Sequence, residues 1–168
     1  MLQMIDRIFK PDACFQDLLQ IDFAAYASLG FKLVLLDIDN TLARHGAHQG
    51  DDFAREAVRR IFESGMDCRI ISNAATSRTR QYATSLSLSF TAMANKPSPK
   101  ALLEACRRSG IPAGQAIMVG DQLLTDIAAA RRAGCLAILV RPRYEYEAWN
   151  VRLKRLLEKT ILRRYIAR

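Results

Sequence analysis

Short apolar and β-branched runs alternate along the chain with stretches whose apolar residues return at helical spacing. The runs at 31–36, 68–72, 89–92, 115–119 and 135–140 predict five strands. Between them, 51–64 places Phe53, Ala57, Val58, Ile61 and Phe62 on one helical face, with Gly65 where a helix would stop. Ser98 and Pro99 open a second helix that runs to Ser109, and a third spans 123–133 and ends at Gly134. Residues 11–29 also read as helical, which makes 1–30 an N-terminal helical segment. This alternation predicts the α/β class, a Rossmann-like parallel sheet sandwiched by helices. In such a sheet ligands bind beyond the carboxyl ends of the strands, where loops and helix N-termini converge.

Composition narrows the picture. Half of the 168 residues are hydrophobic, which suits one domain over residues 1–168. No run approaches the ~20 apolar residues of a membrane-spanning helix, and Met1 to Lys10 is too short and too charged for a secretory signal, so a cytoplasmic protein is expected. The four cysteines are scattered and form no CxxC pair, so reduced, buried thiols are expected. Charge is uneven: residues 141–168 carry nine Lys or Arg against three Glu, which is +6 of the formal +8. Within them Trp149, Leu153, Leu156, Leu157 and Ile161 recur at helical spacing and predict an amphipathic helix. Two readings stand for it: a helix docked on the domain with a solvated basic face, or a surface for an anionic partner such as a membrane.

Candidate chemistry gathers at strand ends. The first predicted strand runs into Asp37-Ile38-Asp39-Asn40-Thr41, two aspartates that extended geometry points to one side. Taken alone, the pair is equally an acidic turn in which Asp39 or Asn40 caps a chain reversal. Val119-Gly120-Asp121-Gln122-Leu123-Leu124-Thr125-Asp126 is again a strand meeting acids, here at a helix start, where a single Asp would be an ordinary cap contributing about 1 kcal/mol. Two such clusters in one domain bring like charges together and require a cation. A hard divalent ion with oxygen ligands, magnesium first, meets that requirement. Ser72-Asn73 follows the second strand, and Asn95-Lys96-Pro97 precedes the helix at Ser98. A hydroxyl and a fixed ammonium aimed at one spot suit a transferring phosphoryl group, whose oxygens stay charged through the transition state. Singly, Ser72 reads as a turn residue and Lys96 as a solvated charge. His45 and His48 stand at an i, i+3 spacing, but the chain has no other histidine and a loop position explains their polarity, so no metal role is assigned to them.

Together these residues resemble the haloacid dehalogenase-like superfamily, whose motifs are Asp-x-Asp-x-Thr, Ser or Thr, Lys, and Gly-Asp-x-x-x-x-Asp. More narrowly they resemble the YqeG family of subclass IIIA phosphatases, a likeness that extends upstream to Lys10-Pro11-Asp12 and Ile21-Asp22 and downstream into the basic tail. The resemblance implies that Asp37 attacks phosphorus and becomes an aspartyl phosphate. It implies that Asp39 protonates the leaving oxygen and then activates the hydrolytic water. Magnesium would be bound by the Asp37 carboxylate, the Asp39 backbone carbonyl and Asp121, with Asp126 either a direct ligand or one step removed. Ser72, Asn73 and Lys96 would bind the phosphate, Lys96 also compensating the charge of Asp37. Dehalogenases of the family lack an acid at the position of Asp39 and transport ATPases carry Thr there, so a phosphatase or phosphotransferase is implied.

Relatives often carry a cap domain after the first motif or between the second and third. Here 42–70 has room for one helix and a loop, and 73–96 for one helix and a short strand, so no cap domain is expected. An uncapped site does not exclude water unaided. It implies a large substrate whose own body covers the site, or closure by a second copy in a homo-oligomer. The phosphorylated substrate is then a small molecule or macromolecule, or a lipid such as phosphatidylglycerophosphate at an anionic membrane surface to which the protein is peripheral. A third reading is a non-enzymatic domain that uses its basic tail to engage RNA or protein. Intact Asp37, Asp39, Lys96 and Asp121 argue against it, and nucleic acid is not expected as a partner.

Overall fold

A computed structural model describes residues 7–144. The elements run β1 (Ala13–Phe15), a 3-10 turn (Leu18–Gln20), α1 (Phe23–Ser28), β2 (Leu33–Leu36), α2 (Asp52–Glu63), β3 (Asp67–Ile71) and α3 (Thr76–Ser85). Then follow β4 (Ser89–Thr91), α4 (Lys100–Ser109), β5 (Ala116–Gly120), a π-type turn (Leu123–Ile127) continuous with α5 (Ala128–Ala133), and β6 (Leu136–Val140). The strands form one sheet in the order β1-β6-β5-β2-β3-β4, and every neighbouring pair is parallel. From β2 the chain steps outward through β3 and β4, then returns to lay β5 on the other side of β2. The carboxyl ends of β2 and β5 therefore lie side by side at a topological switch point.

Period-two geometry divides the core into two layers. Val34, Leu36, Ile70, Ile117, Val119 and Ile138 pack on one face with Ala57, Ile61, Tyr82 and Ala83 of α2 and α3. Leu33, Leu35, Ile71, Met118 and Leu139 pack on the other with Leu102, Cys106, Ile127 and Ala130 from α4, the π turn and α5. Both faces of the central strands are thus covered, which is why β2 reads as an unbroken apolar run. Helix α2 starts where Asp51 accepts from the Ala54 N–H at 2.9 Å, and Gly65, at φ +83°, takes the left-handed turn beyond its end.

The five expected strands are present, shifted by one or two residues at their ends, but the sheet has a sixth. Residues 11–29 are not a helical segment. They hold β1, which pairs with β6, and only Phe23–Ser28 forms an α-helix. On α2 the buried stripe is Ala54, Ala57, Val58 and Ile61, so Phe53 and Phe62 fall on opposite flanks of it. Phe53 is covered by the Arg143 guanidinium at 3.7 Å, whereas Phe62 is 48% exposed. Three cysteines are free and buried as expected, but Cys14 is exposed on β1. Neither interval that would hold a cap contains an additional folded unit. No helix among the described residues is long and apolar enough to cross a membrane. The tail helix expected around Trp149 to Ile161 lies outside the described residues.

Candidate active site

Asp37 is the first residue past β2, and its N–H donates to the Val119 carbonyl of β5 at 3.0 Å, so strand pairing fixes the main chain up to the carboxylate itself. Asp121 is the first residue past β5. The π turn then swings Asp126 back, its Oδ2 accepting the Gln122 N–H at 3.1 Å. Gly120 makes room for it, since a Cβ there would stand 2.4 Å from the Asp126 carboxyl group. Asp37, Asp121 and Asp126 are all buried, and each offers one carboxylate oxygen within 4.8 Å of the others.

Lys96 enters this cluster from the loop after β4. Its Nζ donates to Asp37 Oδ1 at 2.6 Å and to the Ile71 carbonyl oxygen at 2.9 Å, and it forms an ion pair with Asp126 Oδ1 at 2.6 Å. Burial opposes the charge on Lys96, but Asp126 and Asp37 outweigh it and hold the ammonium charged, above its ordinary pKa. Asp37 goes the other way: burial, with Asp126 and Asp39 adding to it, pushes its carboxyl up to about 7 in spite of Lys96. Three buried carboxylates facing one ammonium carry excess negative charge. A hard, oxygen-only donor set with such an excess fits a divalent cation of the magnesium type.

Ser72 and Asn73 stand at the end of β3. Ser72 Oγ accepts the Ala74 N–H at 3.1 Å, so its own hydrogen remains a donor. The sequence pattern sets Asn73 among the phosphate contacts. Its Oδ1 accepts from the Lys96 N–H at 2.8 Å and its Nδ2 donates to the Lys96 carbonyl at 3.1 Å, so it also clamps the main chain that presents the lysine. Asp37, Asn73, Lys96 and Asp126 thus line one cleft.

The Asp39 side chain is not part of the buried carboxylate cluster. It lines the mouth of an open cleft of about 390 Å³, together with Asp37, His45, Arg78 and Lys96. Arg78, from the first turn of α3, donates from Nη1 to Asp39 Oδ1 at 2.8 Å and from Nη2 to Oδ2 at 2.5 Å. His45 Nδ1 lies 3.3 Å from Asp39 Oδ1, whereas His48 Nδ1 lies 2.9 Å from Gln81 Oε1. Arg78 has no signal in the sequence beyond its place five residues after Asn73. A second hollow, of about 420 Å³ near Ile21, Phe23 and Arg60, brings together no comparable set of groups. The chemistry belongs to the cleft at Asp37.

The family described as HAD-hydrolase-like matches residues 93–142, the stretch that carries Lys96, Asp121 and Asp126. The chain is 28% identical to the probable phosphatase YqeG of Bacillus subtilis (strain 168), with 95% of this chain and 92% of that protein aligned. The chain belongs to the haloacid dehalogenase-like superfamily. It is a phosphatase of that superfamily. The chain is also 31% identical to a chloroplastic phosphatidylglycerophosphate phosphatase 1 of Chlamydomonas reinhardtii over 79% of its own length, and spans about half (52%) of that relative. Among solved structures, the D,D-heptose 1,7-bisphosphate phosphatase of B. bronchiseptica, complexed with magnesium and phosphate, shares the fold. Its TM-score is 0.52 at 17% identity, over 65% of this chain and 80% of that one.

Proposed function

We propose that this chain, acting as one uncapped domain, hydrolyses a phosphomonoester through an aspartyl phosphate on Asp37. The observation that carries the reading is the Asp37 carboxylate, which meets Lys96 Nζ at 2.6 Å and shares a 4.8 Å cluster with Asp121 and Asp126. An Asp37 oxygen attacks phosphorus and the bond to the leaving oxygen breaks, with Asp39 giving that oxygen its proton. Asp39 then takes a proton from water as the water oxygen attacks the same phosphorus. The bond to Asp37 breaks and inorganic phosphate leaves. Ser72 and Lys96 steady the phosphoryl oxygens, and Asn73 keeps Lys96 in place. Magnesium would be held by Asp37, Asp121 and the Asp39 backbone carbonyl, with Asp126 beside them, and would offset the repulsion between anionic nucleophile and anionic substrate.

The test uses p-nitrophenyl phosphate. Asp37→Asn should leave the fold intact, abolish turnover and remove any acid-stable phosphoenzyme, and exhaustive chelation should silence the wild-type protein. Substantial turnover by the purified variant would overturn the role of Asp37, and turnover in chelator would overturn the metal. A lipid phosphomonoester is the second reading. It is favoured by the Chlamydomonas relative named above and by the nine Lys or Arg in residues 141–168. On that reading the protein is cytoplasmic and peripheral to an anionic membrane, and it should hydrolyse phosphatidylglycerophosphate in vesicles faster than soluble phosphomonoesters.

A further inference from the structure

We infer that Arg78 reads a second anionic group on the substrate, a carboxylate or phosphodiester a few bonds beyond the scissile ester. The inference rests on the acid and base role proposed for Asp39. Whatever group Asp39 protonates must come within hydrogen-bond reach of its carboxylate, so the leaving oxygen and its substituent arrive beside Asp39. Arg78 is already there, its fork on both Asp39 oxygens at 2.8 and 2.5 Å. The first atoms of the leaving group therefore meet the guanidinium.

Charge on the cleft wall singles Arg78 out. Lys96 is the other fixed cation lining the cleft, but it is paired with Asp37 and Asp126 and is the one assigned above to the transferring phosphoryl group. Arg78 has five N–H donors, of which Asp39 takes two, and the remaining three meet no partner among the described residues. Its side chain is only 13% exposed, so the guanidinium is held in one place and partly shielded from water. Shielding strengthens a charge-assisted contact, and a planar fork suits carboxylate and phosphate oxygens better than an ammonium would. A surface arginine kept only for solubility would need neither the burial nor the fixed orientation.

The experiment compares three phosphomonoesters: glycerol 3-phosphate, 3-phosphoglycerate, which differs by a carboxylate, and a soluble short-chain phosphatidylglycerophosphate, which adds a phosphodiester. The wild-type protein should prefer one or both of the two-anion substrates over glycerol 3-phosphate by roughly 10- to 100-fold in kcat/KM, as expected of a hydrogen bond to a charged group. Which of the two is preferred identifies the anion. Arg78→Gln should remove the preference through KM, and Arg78→Lys should restore it only in part. If Arg78 served only to orient Asp39, Arg78→Gln would lower kcat on all three substrates alike and leave their ratios unchanged, which would overturn the proposal. Calorimetric binding of the same compounds to Asp37→Asn protein with magnesium present supplies a readout independent of turnover. Tighter binding of a two-anion compound that is lost in the Asp37→Asn, Arg78→Gln double variant supports the proposal even if wild-type turnover fails and the catalytic reading falls. Equal affinities, or none detectable for all three, overturn it.

Discussion

At the scale of single residues the site is governed by the cost of burying charge. Lys96 is 5% exposed and stands between two buried carboxylates, so removing its charge strands both. Lys96→Met should cost about 3–5 kcal/mol of stability, the usual penalty for breaking a buried pair. Because a cation that binds only the folded state raises its stability by mass action, magnesium should lift the melting temperature of this variant more than that of the wild type. An unchanged melting temperature without magnesium would show that Lys96 is not what makes the carboxylates tolerable. Gly120→Ala tests the same cluster sterically, since its Cβ would meet the Asp126 carboxyl carbon at 2.4 Å. Overpacking of this kind costs about 1–3 kcal/mol, and a displaced Asp126 should lower kcat by about 10²-fold with the fold preserved by circular dichroism. Wild-type kcat in that variant would mean the site tolerates a moved Asp126. Asp37, Asp121 and Asp126 were legible in the sequence as acids following apolar strands, and the family resemblance is what joined them into one site. Arg78 was not, because an arginine in a helix's first turn reads as a solvated charge and its partner Asp39 lies 39 positions away.

Elements were legible wherever periodicity extended over several residues. β2 and β5 are buried throughout and announced themselves as apolar runs. β1 did not: Ala13–Phe15 is three residues long and only partly buried, and nothing local says that it will pair with β6, more than 120 positions on. The start of α2 falls where the apolar periodicity placed it, the structure adds Asp51 as its cap, and the strength of that cap can be measured. Asp51 caps the Ala54 N–H at 2.9 Å and its Oδ2 accepts from Arg143 Nη2 at 3.1 Å. Burial alone would raise its pKa, but the Ala54 N–H and Arg143 outweigh burial and hold the carboxyl below its ordinary value. A folded-state pKa below the unfolded one contributes stability above the unfolded value, and that contribution is lost as pH falls through the folded value. Asp51→Ala should therefore destabilise the protein at neutral pH by about 0.5–2 kcal/mol, the usual range for an N-cap. In urea titrations the gap between variant and wild type should close as pH drops below the ordinary aspartate range of about 4. A gap that stays constant from neutral to acid pH would mean that the ionised carboxylate is not what caps the helix.

Over the whole molecule the open question is what covers an uncapped cleft, and the charge distribution offers an answer that can be tested. Of the formal +8, +6 falls in residues 141–168, and the residues proposed for catalysis all lie upstream, ending at Asp126. A basic amphipathic segment with Trp149 and several leucines suits an anionic lipid surface, where each Lys or Arg close to the headgroups contributes ~1 kcal/mol. If that is its use, the full chain should co-sediment with vesicles containing anionic lipid and not with neutral ones. Binding should weaken as salt shortens the Debye length toward a few ångströms. Truncation after Tyr146 should then abolish co-sedimentation while sparing turnover of p-nitrophenyl phosphate. The competing reading of the same pattern, a helix docked on the domain, predicts that truncation bares apolar surface and lowers melting temperature and turnover together. A truncated protein that unfolds early, from a parent that ignores anionic vesicles, would assign the tail to the fold. The lipid phosphomonoester would then be left with the likeness to phosphatidylglycerophosphate phosphatases alone.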